Sequence, residues 1–261
     1  MLRYGFLYTA LSSMIIPLYC LVTTVFFIHQ KKNISYILMI WINLLEAGQG
    51  VGHIMSGLIL IFPQFQVDYK VTIRTIGCMM DVFWVSAIPI MSTLAITRIL
   101  IFGNLIRPNS FPIVLRMVIL LIWIYLLVNL VVGSITQNFG FYPPSWYYDY
   151  SAPYSGLLST ISMYLSYVCL STSLISYFVL SIMIYQKKRT SISTVSHRKE
   201  LAILIQYTCT NLYIAMTMSF FRFKKYFEGD ALLRVIVMVH CVWILHCYVN
   251  PLLLLLLNRY D

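Results

Sequence analysis

The sequence predicts an all-α fold, a seven-transmembrane helix bundle, and three observations predict it. Apolar residues fill 60% of the 261 positions and charged residues only 10%, with a mean hydropathy of +0.83; ordinary soluble domains carry about 25% charged residues. The apolar positions gather into seven runs of the length, about 20 residues, that crosses a hydrocarbon core roughly 30 Å thick. The connectors between the runs are short and polar, so residues 1–261 form one bundle without a second domain.

The first run, 6–28, has only Arg3 before it and is too long for a cleaved leader, so it is read as a retained anchor. The second, 35–62, is apolar except for a polar insertion at its centre. The third, 71–102, and the fifth, 154–185, are long enough to tilt or to project beyond the bilayer. The fourth, 111–135, is the most uniformly apolar. The sixth, 200–223, and the seventh, 231–257, carry scattered amides, hydroxyls and histidines, and Pro251 interrupts the seventh. Pro17, Pro89 and Pro251 are the expected flexing points.

An odd number of spans puts the ends on opposite sides. With the N-terminus outside and the C-terminus cytoplasmic, the inner side holds Lys31, Lys32, Arg98, Arg107, Arg116, Lys187, Lys188, Arg189, Arg198, Lys199 and Arg259, eleven basic residues against seven outside; the excess favours that orientation. The net charge of +10 then belongs to loops facing anionic lipid or a partner, not nucleic acid. The chain stops at Asp261, so no eighth helix is expected. The one N-x-S/T sequon, Asn33 to Ser35, falls on the inner side and is expected to stay unglycosylated. All six cysteines fall inside spans, leaving no outer disulfide framework; they are read as small packing residues.

The polar insertion in the second run is the most informative stretch. At about 100° per residue, Asn43, Glu46, Gln49, Gly50, His53 and Gly57 share one side, and Gly48 and Gly52 form a G-x-x-x-G on the other, where a second helix can approach closely. A carboxylate facing lipid costs at least about 2.5 kcal/mol, so the stripe must face the interior or a water-filled space. For Asn43 and Gln49 a hydrogen-bonded packing role is the plainer reading; an intramembrane acid such as Glu46 is a functional candidate in its own right. Asn250 and Pro251 lie at a comparable depth in the seventh span, within reach of Glu46. His53, Asp81, Trp84, Val85, Ile88, Ser173, Asn211, His240 and Trp243 outline an outward-facing pocket for a small molecule, although packing and interfacial anchoring are ordinary roles for the aromatics.

Taken in order, these fragments resemble a family. The second span reads Tyr36, Ile37, Leu38, Met39, then Glu46, Gln49, His53, Ser56 and Gly57. The third has Ile76, Gly77, Trp84, Pro89 and the stretch from Leu94 through Thr97 and Arg98 to Phe102. The sixth begins at Arg198, Lys199 and Glu200 and continues to Gln206. The seventh holds Trp243, His246, Asn250, Pro251, Asn258 and Arg259. Over nearly its whole length the chain resembles the nematode serpentine chemoreceptors, class T-like, within the rhodopsin-like G-protein-coupled receptors. The resemblance implies a plasma-membrane receptor, with a sensory cilium as one location and a homodimer left open, that binds a small molecule and signals to a heterotrimeric G protein. It implies no cofactor and no enzymatic activity. By the same resemblance Arg98 contacts the G protein, Asn250 and Pro251 rearrange on activation, and Glu46 stands where the family usually has aspartate. Thr97 replaces the acid that normally precedes the arginine, and Leu254 replaces the tyrosine after Asn-Pro.

Three other classes make demands of their own on the residues. A retinal-binding pump needs a lysine in the last span, and 231–257 has none. A zinc hydrolase needs histidines on one face, but His240 and His246 lie about 240° apart around the wheel. A transporter or channel with Glu46 and His53 as a proton relay is the serious alternative; it predicts paired repeats or two broken helices.

Overall fold

The computed structural model describes residues 1–29, 33–190, 194–223 and 227–257. The chain is an all-α bundle with one small hairpin: α1 (Leu2–Ser12), α2 (Ile15–His29), α3 (Ile34–Ile61), α4 (Gln64–Asp68), α5 (Lys70–Phe102), α6 (Ile113–Thr136), β1 (Phe139–Tyr142), β2 (Ser145–Tyr148), α7 (Ser155–Thr190), α8 (Thr194–Phe223) and α9 (Gly229–Leu257). Among the described residues, six helical segments are long and apolar enough to cross a membrane: Leu2–Val25, which joins α1 to most of α2, then α3, α5, α6, α7 up to Lys187, and α9 up to Leu256. The sixth expected span, 200–223, falls within the 30-residue helix α8. Expectations about the chain end, about Lys31, Lys32, Lys224, Lys225 and Arg259, and about the matches at Asn258 and Arg259 fall outside the described residues.

The first expected run, 6–28, starts earlier and is broken in the structure: Ser13 and Met14 form a turn between α1 and α2. Pro17 supplies the reason. It has no N–H for the Ser13 carbonyl, and its ring would collide with that carbonyl in a continuous helix. At the start of α3, the Asn33 side chain accepts a hydrogen bond from Ser35 N at 2.9 Å, an N-cap for an otherwise orphan donor. At its other end Pro63 forces Phe62 out of helical geometry, to φ −120° and ψ 77°.

Two apolar clusters hold the bundle together. One gathers Leu38, Ile42, Leu45, Ile88, Met91, Leu94 and Tyr207; the other gathers Tyr8, Ile15, Tyr19, Ile59, Trp146, Trp243 and Ile244, and Trp84 packs against both. The glycines of α3 set how closely its neighbours approach. A Cβ on Gly48 would lie 2.5 Å from the Phe83 ring, and one on Gly52 would lie 2.5 Å from Met80 Sδ, so the expected G-x-x-x-G face packs on α5. The most peripheral helix is α6, which buries only the stripe Leu115, Ile122, Leu126 and Gly133 and exposes Leu120, Leu121, Ile124, Leu127 and Val131. A helix apolar on its exposed face fits hydrocarbon, not water.

The connector 136–153 is not a plain loop. It forms an antiparallel hairpin pairing Phe139 with Tyr148 and Phe141 with Trp146, and it turns inward. Phe139, Phe141 and Trp146 are buried, the Trp146 ring lies over Gly77 of α5, and Trp146 Nε1 donates to Ser56 Oγ at 2.6 Å. Gln66 of α4 donates to the Phe141 carbonyl at 2.8 Å. Arg74 of α5 fastens the hairpin's base, donating to Gln137 O at 2.9 Å and to Asp149 Oδ2 at 3.0 Å. Gln137 adopts a left-handed backbone, φ 51°, which its hydrogen bond to Arg74 helps to hold.

Candidate functional site

Under the hairpin lies a cavity of about 550 Å³ between α5, α7, α8, α9 and the two strands, within the size range of small-molecule sites. Its floor is built by helical spacing: Asp81, Trp84 and Val85 lie at i, i+3 and i+4 on α5 and so share one face. Trp243 of α9 meets Trp84 edge-on, ring centroids 5.6 Å apart, and Phe221 of α8 at 5.4 Å. Ser159, Ser162, Ser166 and Tyr167 of α7 line the far side, and Phe139, Trp146, Tyr147, Tyr148 and Tyr150 form the roof. The Tyr148 hydroxyl donates to Asp81 Oδ2 at 2.5 Å, tying roof to floor.

Of the nine pocket residues expected from the sequence, the structure brings Asp81, Trp84, Val85 and Trp243 to the cavity wall. His53 and His240 stand behind Trp243, their rings 5.1 and 6.1 Å from it and 5.2 Å from each other. Ile88 is packed in the core one turn deeper, and Ser173 and Asn211 are fully buried away from the wall. The Asn211 amide donates to its own helix, at Tyr207 O, 2.7 Å away, which is where polar groups in helices often turn.

As a short polar connector, 136–153 offers no pocket residue from the sequence, yet its hairpin supplies the roof. The signal was present: two four-residue aromatic runs, 139–142 and 145–148, flank Pro143 and Pro144, the pattern of paired strands around a turn.

Below the cavity, the α3 stripe is buried as expected: Asn43, Glu46, Gln49 and His53 have no exposed surface. Glu46 Oε2 accepts hydrogen bonds from the Tyr19 hydroxyl and from Asn250 Nδ2, the latter at 3.0 Å. Asn250 Nδ2 also donates to Asn43 Oδ1 at 3.1 Å, and Gln206 Nε2 donates to Asn250 Oδ1 at 2.6 Å. Glu46 Oε1 lies 3.8 Å from His246 Nε2. Three helices, α2, α3 and α9, thus meet at one carboxyl group, α8 joins them through Gln206 and Asn250, and Asn250 is the hub because its amide both donates and accepts. Tyr19 completes the set, and nothing in the sequence around it marks it before the helices are packed. Trp243 joins the two layers, since its Nε1 donates to Gln49 Oε1 at 3.2 Å while its ring faces the cavity.

Arg98 lies on α5 in the half of the bundle away from the hairpin. It is 5% exposed, with Nη2 4.0 Å from Met39 Sδ, and the Thr97 hydroxyl donates back to Thr93 O at 2.7 Å. Pro251 follows the hub residue directly, inside α9, and frees the Cys247 carbonyl from its helical bond. Among the described residues no group of three or more histidine, cysteine, aspartate or glutamate side chains is placed to hold a metal ion.

No protein-family model matches the chain, and no curated protein matches it.

Proposed function

We propose that the chain is a chemosensory receptor of the rhodopsin-like, G-protein-coupled type, akin to the class T-like nematode serpentine receptors, with seven spans, the N-terminus outside and α8 as the sixth span. The observation that carries this reading is Trp243. It forms part of the cavity wall and hydrogen-bonds to Gln49, which stands one turn from Glu46 on α3, and it precedes Asn250 and the Pro251 break by about two turns on α9. A small molecule that fits the cavity better when Trp243 has moved would favour a second arrangement of α9, and it can shift the balance only by its differential affinity for the two. In this reading Arg98 and the basic inner loop meet a heterotrimeric G protein at the plasma membrane.

Agonist-stimulated nucleotide exchange on a G protein is the test. Arg98→Ala should abolish exchange while leaving ligand affinity within about twofold; loss of binding with exchange per bound ligand intact would count against the role given to Arg98.

A second reading keeps the bundle but makes it an ion- or proton-coupled transporter or a ligand-gated channel. Its support is the unsatisfied polar line through the core: both ring nitrogens of His53, Nδ1 of His246 and Oε1 of Glu46 have no hydrogen-bond partner among the described residues. Ligand-gated current under voltage clamp in cells without a matching G protein would favour it over the receptor.

A further inference from the structure

The chemistry of the cavity wall restricts what the cavity can hold. Among the described residues, aspartate 81 is the only charged side chain on it, and no lysine, arginine or histidine is there to neutralise that carboxyl group. Tyr148 covers one oxygen, Oδ2, and Oδ1 has no hydrogen-bond partner among the described residues. Nine of the eighteen lining residues are aromatic, three of them tryptophan. Tryptophan gives the strongest π face for a cation, and clustered aromatic rings can recognise organic ammonium groups. Among the described residues, the Arg74 guanidinium is engaged outside the wall by Asp149, Tyr142 and Gln137.

We infer that the cavity binds a small organic ammonium ion, its charged nitrogen beside Asp81 and within the cage of Trp84, Trp146 and Trp243. This rests on the reading of the cavity as the ligand site and adds the chemical class of the ligand. An anion would meet an uncompensated carboxylate. A neutral molecule would cover that carboxylate without replacing the water it loses, and burying an unpaired charge is unfavourable. A cation repays the desolvation twice, through the carboxylate and through the rings. The serine and threonine hydroxyls of α7 on the opposite wall leave room for a polar group at the other end of the ligand.

Three probes of nearly equal size separate these cases: 2-phenylethylammonium, 2-phenylethanol and phenylacetate. Their binding to the full chain in phosphatidylcholine nanodiscs is measured by calorimetry and by quenching of tryptophan fluorescence. The expected order is cation tighter than alcohol by at least tenfold, with the anion weakest. Asp81→Asn should weaken the cation and not the alcohol, bringing the two to within about threefold of each other. Equal affinity for cation and alcohol in the unmodified chain, or a cation preference that survives Asp81→Asn, would overturn the inference; the first comparison needs no variant, so misfolding of Asp81→Asn does not protect it. The receptor reading fails separately. Cation binding with no nucleotide exchange on any G protein defeats that reading and leaves this one standing. A neutral compound that drives exchange through the cavity while cations do not bind does the reverse.

Discussion

At the scale of single residues, the least replaceable side chain is Asn250. Its amide is shared by Asn43, Glu46 and Gln206, all buried, so its loss leaves three polar groups short of a partner. An unsatisfied buried group costs about 1–3 kcal/mol, and Asn250→Ala should lower stability by at least that much in reversible unfolding in mixed micelles. Asn250→Asp keeps the shape but sets a second carboxyl beside Glu46, and should cost as much or more. A melting temperature unchanged in both variants would contradict the hub. Glu46 was legible in the sequence because an acid in an apolar run admits few explanations. Tyr19, its other partner, was not: a tyrosine in an apolar helix looks the same whether it anchors at an interface or donates to a carboxylate.

At the scale of elements, two contacts make sharp predictions. α1 crosses α3 where Gly5 faces Gly57, and a Cβ on Gly57 would sit 2.3 Å from Thr9 Oγ1 and 2.7 Å from Thr9 N. Backbone cannot yield there, so Gly57→Ala should cost about 1–3 kcal/mol. Gly156→Ala, where a Cβ meets nothing within 4 Å, should be neutral or slightly stabilising by thermal unfolding. The second contact is the hairpin latch. The Ser151 and Tyr142 hydroxyls, together with the Arg74 guanidinium, pull the Asp149 carboxyl from its ordinary 3.8 down to about 2. A carboxyl depressed in the folded state contributes stability that is present above its unfolded value and is lost as pH falls through the folded one. Hydrogen exchange of the 139–148 amides should therefore be slower in the unmodified chain than in Asp149→Asn at pH 5. That gap should close between about pH 4 and pH 2; a gap unchanged at pH 2 would refute the latch. The helices were legible from apolar runs, whereas the hairpin's inward turn was not, because it depends on Gly77 and Ser56 arriving beneath Trp146 from two other helices.

At the scale of the whole molecule, the proposed orientation assigns the two ends of the bundle to opposite sides. Two connectors meet at the end opposite the hairpin, where Ile34 N donates to Pro108 O at 3.1 Å, and Asn33 lies there as the cap of α3. In the proposed orientation that end is cytoplasmic. Asn33 should then carry no sugar when the protein is made in a glycosylating cell, whereas a sequon placed at exposed Tyr150 should be used, as read by an enzymatic mobility shift. Sugar on Asn33 would invert the bundle and put the cavity on the inside, ending the receptor proposal in its present form.

The long apolar helices and the face of α3 that turns inward could be read along the chain, because hydrophobic periodicity and the cost of burying charge act locally. The sequence also marked Glu46, Asp81, Trp84, Val85 and Trp243. Only the tertiary structure decided which groups share a wall: that Tyr148 reaches Asp81, that His53, Ser173 and Asn211 lie off the cavity, and that Tyr19 and Gln206 complete the set around Glu46 and Asn250. Those pairings join residues as much as 204 positions apart. Helical spacing fixes which residues share a face, but the rotation and depth at which two faces meet are set by packing between them.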